Sequence, residues 1–145
     1  MRVMKASPGL PGPLQEFLEL YRAGLYFEAH EALEPVWLRT RSPFYQGLII
    51  TAAAFCKRDR GNAVGAVLHL RRALRRLEGV PDVHLGVDVD GLRRGLRRRL
   101  EGLAAAGVDP EAPGVRRGDG TWDPQALRKV MPDLPIPLAL TIPPR

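Results

Sequence analysis

The chain has little of several features that would point to a particular class of protein. It contains one cysteine, Cys56, in 145 residues, which excludes an internal disulfide framework and a zinc site built from several cysteines. No apolar run approaches the roughly 18 residues that a membrane span needs. The N-terminus also lacks the basic and then apolar order of a secretory signal. We therefore expect a cytoplasmic protein that does not enter a membrane.

Lysine is scarce as well, so the net charge of +6 comes almost entirely from arginine. An excess of basic over acidic residues can indicate that the partner is nucleic acid or another polyanion. However, Ala, Gly, Pro, Leu and Arg are abundant together, and this bias alone would put arginine on an ordinary solvated surface. Nucleic-acid binding is therefore an alternative and not the favoured interpretation.

The spacing of apolar residues predicts five main helices, over about residues 13–23, 26–37, 44–60, 63–78 and 89–106. Three of them follow residues that commonly cap helices, namely Ser42, Asn62, and either Asp88 or Asp90. The third predicted helix is apolar nearly all round, so it should lie at the centre of the fold.

These elements predict an all-α fold, a single-domain bundle of about five helices in residues 1–107. A Pro/Gly-rich extension follows in residues 108–145, with one short helical stretch after Asp123-Pro124 and alternating apolar and proline residues near its end. We expect this extension to lie as a strap on the bundle or on a neighbouring subunit.

The second predicted helix carries the most chemically specific pattern in the chain. On a wheel at about 100° per residue, six of its side chains share the face predicted to be buried. These are Phe27, His30, Leu33, Glu34, Trp37 and Leu38. Residues four apart are neighbours on a helix, so His30 and Glu34 can contact each other. Burial would cost each of these polar groups about 1–3 kcal/mol unless it is hydrogen-bonded.

Two interpretations of this buried polar cluster stay open. The favoured one is a non-catalytic or small-ligand-binding domain, in which His30, Glu31, Glu34 and Trp37 line a pocket or form an internal network. The alternative is a metal-dependent hydrolase-like enzyme that uses His30 and Glu34, because a histidine and a carboxylate four residues apart can share a metal. The sequence contains no second ligand pair of this kind, so we predict no cofactor. No catalytic residue is identified, and whether the protein is an enzyme stays open.

Arginines at helical spacing on the fourth and fifth helices form two columns. If those helices lie side by side, the columns can bind phosphates through Arg71, Arg75, Arg94 and Arg98. Aromatic residues that would stack on bases are missing near them, which disfavours single-strand recognition. The narrow leucine stripe of the fifth helix is typical of a peripheral helix or a subunit contact. We therefore expect a homo-oligomer, with a dimer favoured.

The order and spacing of four blocks of sequence together resemble those of a known family. They are Gly24-x-Tyr26-Phe27-Glu28-Ala29-His30-Glu31-x-Leu33-Glu34-x-x-Trp37, Tyr45-x-Gly47-Leu48-Ile49, Gly61-Asn62-x-x-Gly65-Ala66 and His84-x-Gly86-Val87-Asp88-Val89. Over about residues 17–103 the chain resembles the family catalogued as domain of unknown function 309.

This resemblance implies a small all-α bundle and a family with no established activity. It also implies that His30, Glu31, Glu34 and Trp37 are signature positions, and that Asn62 and Asp88 are caps or polar contacts. Candidates for an additional pocket are Tyr26, Asn62, His84 and Asp88.

Overall fold

The computed structural model describes residues 10–111 and 121–139. Within these ranges the chain forms six α-helices and one short β-hairpin. The elements are α1 (Gly12–Arg22), α2 (Tyr26–Thr40), α3 (Pro43–Asp59), α4 (Ala63–Leu77), β1 (Val83–His84), β2 (Val87–Asp88), α5 (Val89–Ala105) and α6 (Pro124–Val130). The predicted all-α fold is confirmed. The hairpin lies between the fourth and fifth predicted helices.

Polar side chains cap several of these helices at their N-termini, as predicted. Ser42 Oγ accepts a hydrogen bond from Tyr45 N at 3.3 Å and begins α3. Asn62 Oδ1 accepts from Gly65 N at 2.8 Å and begins α4. Asp88 Oδ1, and not Asp90, accepts from Gly91 N at 2.9 Å and begins α5. Each cap satisfies a backbone donor that the helix itself leaves free.

The third helix is central, as its sequence predicts. It packs against α2 on one side and α4 on another, while α1 packs on α2 and α5 packs on α4. A Cβ atom added at Gly47 would lie 2.5 Å from the side chain of Leu77, so α3 and α4 approach each other closely there. The glycine is therefore needed for the packing of these two helices.

The end of the described chain packs on the bundle of its own molecule. We call residues 131–139 the strap. Its Leu134 and Ile136 side chains are buried, and its backbone hydrogen-bonds to the hairpin, from Asp88 N to Pro137 O and from Ala139 N to Gly86 O, both at 2.9 Å. Residues 112–120 and 140–145 of the predicted extension lie outside the described residues, and the division of the chain at residue 107 stays a prediction.

The orientation of α2 differs from the predicted one. Its buried residues are Tyr26, Ala29, Leu33 and Val36, whereas Phe27 and Leu38 are 53% and 52% exposed. The helix is thus turned by roughly a quarter of a turn from the expected orientation.

Aromatic packing accounts for this rotation of α2. The Tyr26 ring packs 5.1 Å from the Tyr21 ring and 5.5 Å from the Phe55 ring, measured between centroids. Because Tyr26 joins this aromatic group, the residues on the opposite side of α2 face outward. Helical spacing alone could not decide between the two sides, since both carry apolar residues.

Candidate functional site

The predicted burial of the polar cluster of α2 is wrong for its two glutamates, whereas the assignment of the cluster to a ligand site stays a prediction. Glu31 and Glu34 are exposed, and His30 and Trp37 are only partly buried. The imidazole of His30 stacks on Phe27, with 6.1 Å between ring centroids. Its Nδ1 atom has no hydrogen-bond partner in the described part of the chain. A His30–Glu34 network through that atom is therefore absent there.

Among the described residues, no third metal donor lies close to His30 and Glu34. Within residues 10–111 and 121–139, no three His, Cys, Asp or Glu side chains lie close enough together to hold a metal ion. Protein zinc sites commonly use three or four side-chain ligands. The donor geometry of the described residues therefore lends no support to the metal-dependent alternative.

The four candidates for an additional pocket lie in different places. Tyr26 is part of the aromatic group between α1, α2 and α3, while Asn62 and Asp88 cap α4 and α5. His84 packs edge-on against Phe44, with 4.8 Å between ring centroids, beside a depression at the start of α3. The structure does not bring these four residues into one pocket.

The four predicted anion-binding arginines are exposed. These are Arg71, Arg75, Arg94 and Arg98. Two of them face carboxylates, because Arg71 Nη1 lies 3.8 Å from Glu111 Oε2 and Arg94 contacts Asp90 on the same helix. Solvation and ion pairing on the surface account for these two without a ligand.

Among the described residues, two charged side chains are buried, and Arg58 on α3 is the more deeply buried of them, at 0% exposed against 7% for Arg93 on α5. Its Nη1 donates hydrogen bonds to Met131 O at 3.0 Å and to Asp133 Oδ1 at 2.8 Å. Its Nε donates to Asp59 Oδ1 at 3.1 Å. The guanidinium also lies 4.8 Å from the centroid of the Phe55 ring. Arg58 thus joins the central helix to the strap.

The surroundings of Arg58 keep it charged. Burial alone lowers the pKa of Arg58, but the hydrogen bonds to Asp133 and Asp59 more than offset this, and the pKa is raised above its ordinary value. No sequence signal identified this residue. It is one arginine among many, and its partners Met131 and Asp133 are 73 and 75 residues further along the chain.

A recess of about 130 Å³ lies between α1, α2 and the strap. Its walls are Leu18, Tyr21, Arg22 and Tyr26 on the helices and residues 133–136 on the strap. The two tyrosines are buried, whereas Arg22 and Asp133 are exposed at the rim. The hydroxyl of Tyr21 donates a hydrogen bond to Leu134 O at 2.7 Å, which attaches the strap to this wall.

Both tyrosines of the recess are neutral at ordinary pH. Burial raises the pKa of Tyr21 well above its usual value. Burial also raises the pKa of Tyr26, with the negative charge of Asp133 adding to the effect and Arg58 opposing it. A protonated phenol can donate a hydrogen bond. The recess therefore combines aromatic surface, hydroxyl groups and a charged rim.

Together these features describe a mainly helical domain with a recess that residues 133–136 of the strap partly cover. Residues 14–68, from α1 into α4, match the model of the family described as "Domain of unknown function (DUF309)". The family predicted from the sequence blocks is therefore confirmed over this segment. The block at residues 84–89 and the strap lie outside the match. No curated protein matches the chain significantly.

Among the helices that the structure describes, none is long and apolar enough to cross a membrane.

Proposed function

We propose that this protein is a non-catalytic domain that binds a small anionic ligand in the recess under the strap. The recess itself is the observation that carries this proposal, because two buried tyrosines and residues 133–136 enclose about 130 Å³. A cavity of about 150 Å³ accommodates a benzene-sized molecule. The ligand should therefore be about the size of a single six-membered ring.

The charges around the recess favour an anion. Arg22 lies at the rim, and Arg99 acts to lower the pKa of Tyr21, so its positive potential reaches this wall. Asp133 is the opposing charge. However, Arg58 binds its carboxylate at 2.8 Å and Arg128 lies 3.6 Å from it, so most of that negative charge is already compensated.

The polar groups of the recess also suit a carboxylate or a similar anion. A guanidinium binds carboxylates well because its planar donors match their geometry. The protonated hydroxyl of Tyr26 is a further donor on the same side of the fold. The apolar ring of the ligand would pack against Leu18, Ile136 and the faces of the tyrosines.

Titration with benzoate and with benzamide, its neutral counterpart of the same shape, tests the proposal. Benzoate should bind more tightly than benzamide, as measured by calorimetry or ligand-observed NMR. Arg22→Gln should weaken benzoate binding several-fold and leave benzamide binding unchanged. Arg39→Gln, which removes an exposed arginine of α2 outside the recess, is the matched control. Equal affinity for the two compounds, or no binding of either, would contradict the proposal.

A variant that fills the recess separates binding there from binding elsewhere. Ile136→Phe adds volume to a wall of the recess and should abolish benzoate binding. Thermal unfolding and circular dichroism check that the variant is folded. Undiminished binding by a folded Ile136→Phe would place the ligand outside the recess.

The other functions raised by the sequence rest on weaker support. A metal-dependent hydrolase that uses His30 and Glu34 has no supporting donor cluster in the described ranges. Nucleic-acid binding through the arginine columns stays an untested alternative, and the cytoplasmic location stays a prediction.

A further inference from the structure

The outward side of α2 is an exposed surface with an unusual composition. We call Phe27, Glu31, Glu34 and Leu38 the signature face. All four side chains are exposed. The other three phenylalanines, Phe17, Phe44 and Phe55, are 0–1% exposed. Phe27 is thus the one phenylalanine that the fold leaves in solvent, and it shares its face with two carboxylates and a leucine.

The outward side of α4 carries the opposite charge. We call Leu68, Arg72 and Arg75 the arginine face. Leu68 is 43% exposed, and both arginines are exposed. Among the described residues, neither arginine has an acidic group within 4 Å. Likewise, neither Glu31 nor Glu34 has a basic group within 4 Å among these residues. These charges therefore have no ion-pair partner within the described part of the molecule.

The two faces match in spacing as well as in charge. On the signature face, Leu38, Glu34 and Glu31 follow each other at intervals of four and three residues. On the arginine face, Leu68, Arg72 and Arg75 follow each other at the same intervals in the opposite chain direction. Residues at this spacing lie along one side of a helix. Two such helices placed antiparallel would set leucine against leucine and each glutamate against an arginine.

We propose that a second copy of this chain binds the signature face through its arginine face. The sequence itself thus contains a complement to Glu31, Glu34 and Leu38 of the signature face. Pairing of two signature faces is disfavoured, because antiparallel α2 helices with Phe27 against Leu38 would set Glu31 against Glu34, and like charges repel. The α2–α4 arrangement avoids this repulsion.

The size of the surface indicates the strength of the contact. A 15-residue helix such as α2 is about 22 Å long. Contact along one side of it buries less than the roughly 800 Å² per partner of a standard interface. We therefore expect a dissociation constant in the micromolar range. Exposed ion pairs are screened by salt, so association should weaken as ionic strength rises.

Two charge-reversal variants test the pairing by analytical ultracentrifugation. Glu31→Arg/Glu34→Arg makes both faces basic, and Arg72→Glu/Arg75→Glu makes both faces acidic. Each variant alone should associate at least tenfold more weakly than the wild type. An equimolar mixture should regain association, because each signature face then meets an arginine face of opposite charge.

Matched controls change the same charges elsewhere on exposed surface. Glu16→Arg/Glu19→Arg alters α1, and Arg97→Glu/Arg98→Glu alters α5. Both should associate like the wild type. A wild type that stays monomeric up to the millimolar range, variants that associate normally, or a mixture that does not recover would each overturn the pairing. Benzoate binding is measured on the same samples, so loss of association is distinguished from failure of the recess.

Discussion

Helices α2 and α3 place their ionisable residues in opposite environments. The glutamates of the α2 signature face lie in solvent, whereas Arg58 of α3 is fully buried. Helical spacing shows which residues share a face, but it does not show which face is turned inward. A buried charge also needs partners, and those of Arg58 come partly from the strap. The fully buried charge of Arg58 is therefore stabilised by tertiary contacts, and it does not lie on α2, the helix with the most distinctive sequence.

The largest effect should follow from removing the fully buried charge of Arg58. Arg58→Met keeps an aliphatic side chain but removes the hydrogen bonds to Met131 and Asp133. The free energy of unfolding in urea should fall by about 3 kcal/mol. This is near the lower end for a broken buried pair, because the Asp59 and Asp133 carboxylates stay partly exposed to water. Arg60→Met, at an exposed neighbour, is the control. A loss below about 1 kcal/mol would show that Arg58 of α3 contributes no more to stability than the exposed glutamates of α2.

A smaller loss should follow from detaching the strap at one point. Tyr21→Phe removes the hydrogen bond to Leu134 O and should lower the free energy of unfolding by about 1–2 kcal/mol, since the carbonyl loses a buried partner. Chemical denaturation measures this loss. An unchanged midpoint would show that the Tyr21 hydroxyl contributes nothing to strap attachment.

The same variant should change the response of stability to alkaline pH. Burial raises the pKa of Tyr21, whereas an unfolded tyrosine ionises near pH ~10. The unfolded state therefore loses its proton first, and the free energy of unfolding falls as pH rises above about 10. Tyr21→Phe should show a shallower decline. Some decline should remain, because burial also raises the pKa of Tyr26 and Tyr45. Equal slopes for both proteins would contradict the assignment.

A still smaller effect is expected at the start of α5. Asp88→Ala removes the side chain that accepts a hydrogen bond from Gly91 N and should cost about 1 kcal/mol in thermal or urea unfolding. Asp90→Ala should cost less, because Asp90 contacts Arg94 on the surface and exposed ion pairs contribute little. The reverse order would mean that Asp90 acts as the cap.

The smallest effect should come from the signature face. Glu31→Gln removes one exposed charge and should change the free energy of unfolding by less than about 0.5 kcal/mol. The measurement belongs at low protein concentration, where self-association does not contribute. A loss of several kcal/mol would indicate that this carboxylate is buried and bonded.

Local sequence was sufficient for the helices and their caps, because Ser42, Asn62 and Asp88 act on backbone groups only three residues away. It also identified α3 as the central helix, since no side of that helix is polar. The rotation of α2 could not be derived in this way, because it depends on the contact of Tyr26 with Tyr21 and Phe55. The recess was missed for a similar reason. One of its walls is the strap, which packs on α1 and α2 from more than 100 residues away in sequence.

The most direct test is a double-mutant cycle of His30→Ala and Glu34→Ala in urea unfolding. With Glu34 exposed and no hydrogen bond at His30 Nδ1 among the described residues, the coupling energy should be below about 0.5 kcal/mol, as for surface pairs four residues apart. A coupling energy of about 1–3 kcal/mol is typical of residues joined in one buried network. That result would contradict the exposed position of Glu34 and show that His30 and Glu34 form a buried polar pair.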